Sequence, residues 1–212
     1  MFKKNDFIEI ELTAKVKETG LIFETTDEAT AKENNFHNSS QKYAPKIICL
    51  GQHQILPSLE EELENKELNK EFEVELPPER AFGKKNPKLL QLVSASQFKK
   101  QNITPYPGLH VNVDNSIGVV RTASPGRVIV DFNNPLSGRN IIYKIKILKL
   151  ITDTKEKIIS ILDSYHLHNA NVEIADSNLT IKAKVDENIQ KEITRKILEL
   201  VPIIKKINVV KE

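Results

Sequence analysis

FIEIELTAKVK (residues 7–17) places Ile8, Ile10, Leu12, Ala14 and Val16 on one side of an extended chain and polar residues on the other. A helix cannot satisfy a period of two, so this stretch demands a half-buried strand. The same long alternation returns in NIIYKIKILKLI (140–151), which is expected to close the sheet that the first strand opens. Shorter runs between them supply partners: LIFETT (21–26) after the turn ETG, KIICLG (46–51), and EFEVEL (71–76), stopped by Pro77-Pro78. DEATAKENN (27–35) reads as a polar surface excursion, with Thr26 or Asp27 as a helix cap. ILPSLEEELENKEL (55–68) reads as one short helix. Pro57 suits its first turn, and Leu59 and Leu63 share a face. Glu60, Glu61 and Glu62 read as a charged helix start favoured by the dipole, not as an acid/base pair.

The texture changes near residue 84. KKNPKLLQLVSASQFKKQNITPYPG is rich in turn signals, and HVNVD, SIGVVRT and RVIVDF follow as short strands with tight turns at DNS (114–116) and SPG (124–126). This predicts a small β-rich insert. The cassette DFNNPLSGR (131–139) then turns the chain into the closing strand while carrying two bulky apolar residues, Phe132 and Leu136. After 152 the order is helix (153–167, Asp153 or Thr154 as cap, Ile158, Ile161, Leu162 and Tyr165 on one face), hairpin, helix (187–201, Asp186 as cap, Ile189, Ile193, Ile197, Leu200 and Val201 on one face), strand. That order predicts an αββαβ module.

Hydrophobic residues at 39% and charged residues at 28% are ordinary for a globular chain. A net charge of +2, with Lys and Asp/Glu interspersed, argues against nucleic acid as a partner and reads as solvated surface. The lone cysteine, Cys49, lies in an apolar run and reads as an inert buried thiol. MFKKNDFIEI has no apolar stretch suited to a signal peptide, and no segment approaches a membrane span, so a cytoplasmic, membrane-free protein is expected. His37, His53 and His110 lack ligand spacing, and His166-x-His168 reads as a polar helix end, so neither metal nor cofactor is expected.

Three stretches together, GLIFETT (20–26), LGQHQILPSLE (50–60) and PPERAFGKKNP (77–87), resemble the motifs of the FKBP-type peptidyl-prolyl cis-trans isomerases. DFNNPLSG resembles the cassette of the SlyD-like branch, which carries an insert-in-flap domain where the β-rich insert is read here. The excursion and the C-terminal module resemble the long archaeal members. The resemblance covers residues 1 to about 152 and implies an α+β fold: an antiparallel sheet wrapped on a short helix, with a β-rich insert and a C-terminal α+β domain. The expected domains are 1–85 with 135–152, then 86–134, then 153–212.

By that resemblance the prolyl pocket would use Phe23, Glu24, Ile55, Leu56, Leu59, Phe82, Phe132 and Tyr143, with the Leu56 N–H binding the substrate carbonyl. Otherwise each is an ordinary core residue. The insert would hold unfolded chain through Leu90, Leu92, Val93, Phe98, Val111, Val119 and Ile129, about half of which must fill its own core. Partners would be unfolded proteins and proline-containing peptides, while the two amphipathic helices of 153–212 are expected to serve a homodimer or to extend the client surface. Several positions depart from the family pattern. Glu24 stands for Asp, Phe82 for Tyr, Thr13 for Tyr, Asn134 for His and Lys46 for an aromatic residue. The apolar frame stays while its polar decoration thins, so catalysis is expected to be retained but modest. The competing reading is a holding chaperone that keeps the fold with little catalysis.

Overall fold

A computed structural model describes residues 1–113, 116–168 and 170–210. Asp114 and Asn115 of the expected DNS turn lie outside the described residues. In chain order the elements are β1 (Phe7–Val16), β2 (Ile22–Thr25), α1 (Glu28–Glu33), β3 (Lys46–Cys49), α2 (Pro57–Leu63), β4 (Glu71–Leu76), β5 (Leu90–Ser94), α3 (Ala95–Lys100), β6 (His110–Val113), β7 (Ser116–Ser124), β8 (Arg127–Asp131), β9 (Ile141–Ile151), α4 (Thr154–Ser164), β10 (Asn171–Ala175), β11 (Asn178–Lys182), α5 (Glu187–Leu200) and β12 (Lys206–Val210). They form an α+β fold in two compact units, one of residues 1–15, 20–75 and 142–212, the other of residues 16–19 and 76–141.

In the first unit the strands run β2-β1-β9-β4, and β3 also pairs with β1. The long alternating strands thus sit at the centre, as their pattern predicts. β1 meets two antiparallel neighbours end to end: β3 along Phe7–Ile10 and β2 along Thr13–Lys15. Ile8, Ile10, Leu12, Ala14 and Val16 are all buried. So is Phe7, which a half-buried strand would expose. Phe7 and Cys49 belong to the same apolar core as Ile151, Ile158, Ile161, Val172, Ile193 and Ile197. The αββαβ elements therefore fall in the same compact unit as the main sheet, and their core takes in Phe7, Cys49 and Ile151 of that sheet. Their own sheet runs β10-β11-β12, antiparallel then parallel. Asp153 and Asp186 cap α4 and α5, accepting from the Glu156 N–H at 2.7 Å and the Asn188 N–H at 2.9 Å. Among the described residues no helix is long and apolar enough to cross a membrane.

The second unit holds an antiparallel four-stranded sheet ordered β5-β8-β7-β6. Its core is Val93, Phe98, Val111, Val120, Val128 and Val130. The KKNP…TPYPG stretch, expected as turns, contains β5 and α3. Leu89, Leu90 and Leu92 do not alternate, and only tertiary pairing with β8 makes this segment a strand. Ser94 caps α3 by accepting from the Ser96 N–H at 3.3 Å. Gly118 in β7 permits a close approach: a Cβ there would lie 2.6 Å from Val130 Cγ1 and 2.8 Å from the Phe132 ring.

Candidate active site

Of the eight expected pocket residues, Phe23, Glu24, Ile55, Leu56, Leu59 and Tyr143 lie in the first unit, and Phe82 and Phe132 in the second. Leu59 is fully buried, and Tyr143 nearly so, whereas Phe23, Glu24, Ile55 and Leu56 are half-buried. Burying a leucine completely contributes about 1.5–3 kcal/mol, so Leu59 anchors α2 while Ile55 and Leu56 keep accessible surface just before it. Leu56 is the N-cap of α2, and Pro57 follows at its first position. The Leu56 carbonyl accepts from the Leu59 N–H at 2.8 Å and the Glu60 N–H at 3.0 Å. Its own N–H has no hydrogen-bond acceptor among the described residues.

Two side chains clamp the loop that delivers Ile55 and Leu56. The Cys49 N–H donates to Gln54 Oε1 at 2.6 Å, and the Gly51 N–H donates to Glu60 Oε2 at 3.0 Å. Glu60 therefore differs from the solvated charge expected of a helix start. It is buried, and its Oε1 has no hydrogen-bond partner among the described residues. Pattern alone could not separate it from its neighbours Glu61 and Glu62, because the Gly51 N–H that draws it inward lies nine residues away.

The polar edge carries two of the departures as a pair. Lys46 Nζ lies 3.0 Å from Glu24 Oε1. Register explains the meeting: Lys46 of β3 is opposite Ile10 and Glu24 of β2 is opposite Ala14, so both side chains flank the same edge of β1. Burial, and then the Glu24 charge, hold the Tyr143 phenol well above its ordinary pKa. Thr13, the third departure on this sheet, shares a 2.8 Å hydrogen bond with Thr25.

In the second unit Phe82 is half-buried, and its carbonyl accepts from Ser137 Oγ at 3.0 Å. Phe132 packs on the insert's own core. The cassette 131–139 is stitched to residues 83–89 by main-chain and side-chain bonds. Gly138 N–H donates to the Gly83 carbonyl at 2.8 Å, Phe132 N–H to the Leu89 carbonyl at 2.9 Å, and Asn86 N–H to Asn133 Oδ1 at 2.7 Å. Asp131 is the hub. It is 3% exposed and accepts from Arg121 Nη2 at 2.8 Å, Lys85 Nζ at 3.3 Å and the Asn133 N–H at 2.9 Å. Burial opposes its charge, but the Asn133, Arg121 and Lys85 donors outweigh it and hold the carboxyl far below the usual carboxylate range.

The seven insert candidates divide. Val93, Phe98 and Val111 are buried in the insert core, and Val119 is half-buried. Leu90, Leu92 and Ile129 are exposed by 44%, 65% and 37%. Burial, then the Glu60 and Asp6 charges, push the Cys49 thiol up to about 12, which leaves it un-nucleophilic. His168 pairs with Asp163 at 3.1 Å, and no cluster suited to a metal occurs among the described residues.

An α+β sheet with one short helix carrying a half-open apolar cap, joined to an inserted four-stranded sheet, defines the class of prolyl isomerases with an inserted second domain. Residues 91–136 match the family model described as FKBP26, IF domain. The chain is 24% identical over 147 residues to the short-type peptidyl-prolyl cis-trans isomerase of Methanocaldococcus jannaschii, covering 69% of this chain and 92% of that protein. It is 31% identical over 110 residues to a probable FKBP-type 16 kDa peptidyl-prolyl cis-trans isomerase of Pseudomonas fluorescens, covering 50% of this chain and 72% of that one. SlyD of Pasteurella multocida is 27% identical over 118 residues, covering 54% of this chain and 59% of that protein. The chain belongs to the FKBP-type peptidyl-prolyl cis-trans isomerase family.

Proposed function

We propose that the chain catalyses prolyl cis–trans isomerisation and holds unfolded polypeptide on its insert. The observation that carries the catalytic half is the N-terminus of α2, where half-buried Ile55 and Leu56 present a Leu56 N–H without an acceptor among the described residues. Isomerisation needs neither nucleophile nor metal. Its barrier is amide resonance, about 20 kcal/mol, and uncatalysed exchange takes tens to hundreds of seconds. A dry apolar surface under the proline ring disfavours the dipolar planar amide relative to the twisted one, which is differential binding of the transition state. The Leu56 N–H holds the substrate carbonyl while the bond turns. The clamps from Gln54 and Glu60 fix that geometry in advance.

The holding half rests on Leu90, Leu92 and Ile129, apolar side chains exposed on a small sheet. Among the described residues β5 has one strand neighbour, β8, so an extended client adds to its other edge by main-chain bonds. The exposed Ile159, Ile189 and Leu198 on α4 and α5 support a homodimer through 153–212. A single-chain mass in light scattering would remove that part.

A second reading, a holding protein with little catalysis, is favoured by the Lys46–Glu24 pair, which engages the carboxylate at the pocket edge. A proline-limited refolding assay decides between them. Catalytic amounts of the chain should accelerate the slow phase, and no acceleration at stoichiometric amounts would leave only the holding function.

A further inference from the structure

The exposed strip on the insert has a charged frame. Leu92 of β5 is the cross-strand partner of Ile129 of β8, and Leu90 lies on the same face, so the three form one apolar strip along an open edge. β5 reads LQLVS, without the charge or proline that usually closes such an edge. Cations stand at both of its ends. Lys88 lies two residues before β5. Arg127 is the register partner of Ser94, the last residue of β5, and shares the face of Ile129 two residues on. Both are exposed, and neither is in an ion pair among the described residues. Asp131 is the one carboxylate among the described residues between 86 and 134, and it is buried and taken up by Arg121 and Lys85. The strip is therefore framed by positive charge without a compensating exposed carboxylate among the described residues.

We propose that the insert selects extended client segments in which a short apolar run is flanked by Asp or Glu. This rests on the holding function proposed above. A strand of five residues spans about 13 Å from first to last residue, the length of β5. An apolar run of that length laid along β5 places its side chains beside Leu90, Leu92 and Ile129. Its flanking carboxylates then meet Lys88 at one end and Arg127 at the other. Flanking lysines meet like charge there and are disfavoured. A polypeptide fits this strip better than a nucleic acid. The main-chain edge, which has no strand partner among the described residues, asks for a strand, and among them no aromatic side chain stands on the strip to stack a base.

The test uses the full chain and three labelled peptides with one apolar core flanked by Glu, Ser or Lys, together with a labelled single-stranded oligonucleotide, all followed by fluorescence anisotropy. At low ionic strength the Glu-flanked peptide should bind roughly tenfold tighter than the Ser-flanked one, and the gap should narrow with added salt. Lys88→Glu with Arg127→Glu should invert the order of the Glu- and Lys-flanked peptides. Leu92→Ser should weaken all three alike. Equal affinity for the three peptides, with the Leu92→Ser loss intact, would overturn charge selection and leave the holding function standing. Failure of every peptide to bind would remove both. An oligonucleotide that binds tighter than the Glu-flanked peptide and displaces it would replace the polypeptide client.

Discussion

At the scale of single residues, the candidate site was most legible where a side chain is wholly apolar and its spacing leaves one place for it. Leu59 follows from the helical face it shares with Leu63, and both are fully buried. Leu59→Ala should cost about 2–5 kcal/mol, read from the urea midpoint, and should lower isomerase activity with it. Polar residues were less legible, because their partners lie far off in sequence. Glu60 reads as surface and is buried on the Gly51 N–H, and Lys46 reads as a lost aromatic residue and is an ion-pair partner of Glu24. That pair is partly exposed, so Lys46→Ala should change stability by no more than about 1 kcal/mol. It should instead raise the rate on proline peptides by freeing Glu24, a change seen in kcat/KM and not in the denaturation midpoint. Asp131 is a stronger case. Its carboxyl is depressed in the folded chain, so it stabilises fully above the unfolded value, near pH 4, and that stabilisation is lost as pH falls through the lower folded value. Asp131→Asn removes the charge that Arg121 and Lys85 share and should cost about 1–3 kcal/mol at neutral pH. The gap between wild type and variant should close in urea titrations taken progressively below pH 4. A gap that persists unchanged there would remove Asp131 as the hub.

At the scale of elements, the strands with strict alternation, β1 and β9, and the capped helices α4 and α5 were readable from pattern and caps alone. β5 and α3 were not. LLQLV has no period of two, and a six-residue helix after Ser94 carries too little amphipathic signal to stand out from turn-rich flanks. The loop from Cys49 to Leu56 was legible only as a motif. Two side-chain clamps hold it, and no local propensity encodes them. Gln54→Ala frees the Cys49 N–H, and Glu60→Ala frees the Gly51 N–H and also relieves a buried carboxylate oxygen. Both variants should lower kcat/KM on proline peptides, and hydrogen exchange at the Gly51 amide should quicken in Glu60→Ala. The insert is a separable element of a different kind, because its core of six buried side chains is its own. Replacing 86–134 with a short linker should abolish acceleration of unfolded-protein refolding and spare short peptides. Equal loss on both would defeat the division of labour between sheet and insert.

At the scale of the whole molecule, the sequence showed a C-terminal αββαβ order but gave no sign that its core would take in Phe7, Cys49 and Ile151 of the first sheet. Phe7 looked like a residue on the exposed face of a half-buried strand, and Cys49 like a buried inert thiol with nothing to name its neighbours. Both are buried in one cluster with Ile158, Ile161, Ile193 and Ile197, so residues far apart in the chain cover one another. The C-terminal module is then part of what keeps the isomerase sheet folded, and its removal cannot be neutral. Cutting the chain after residue 152 would strip that cover from Phe7, Cys49 and Ile151. The thiol reports the change directly. In the full chain burial first, and then the charges of Glu60 and Asp6, push it up to about 12, so it should resist a disulfide reagent at mildly alkaline pH until the protein unfolds. In the shortened chain the burial contribution falls, and the thiol should react within the dead time of a manual assay at the same pH. A shortened chain that shows native circular dichroism and a still-protected thiol would mean the sheet closes over Cys49 by itself, and the shared core would lose its structural role.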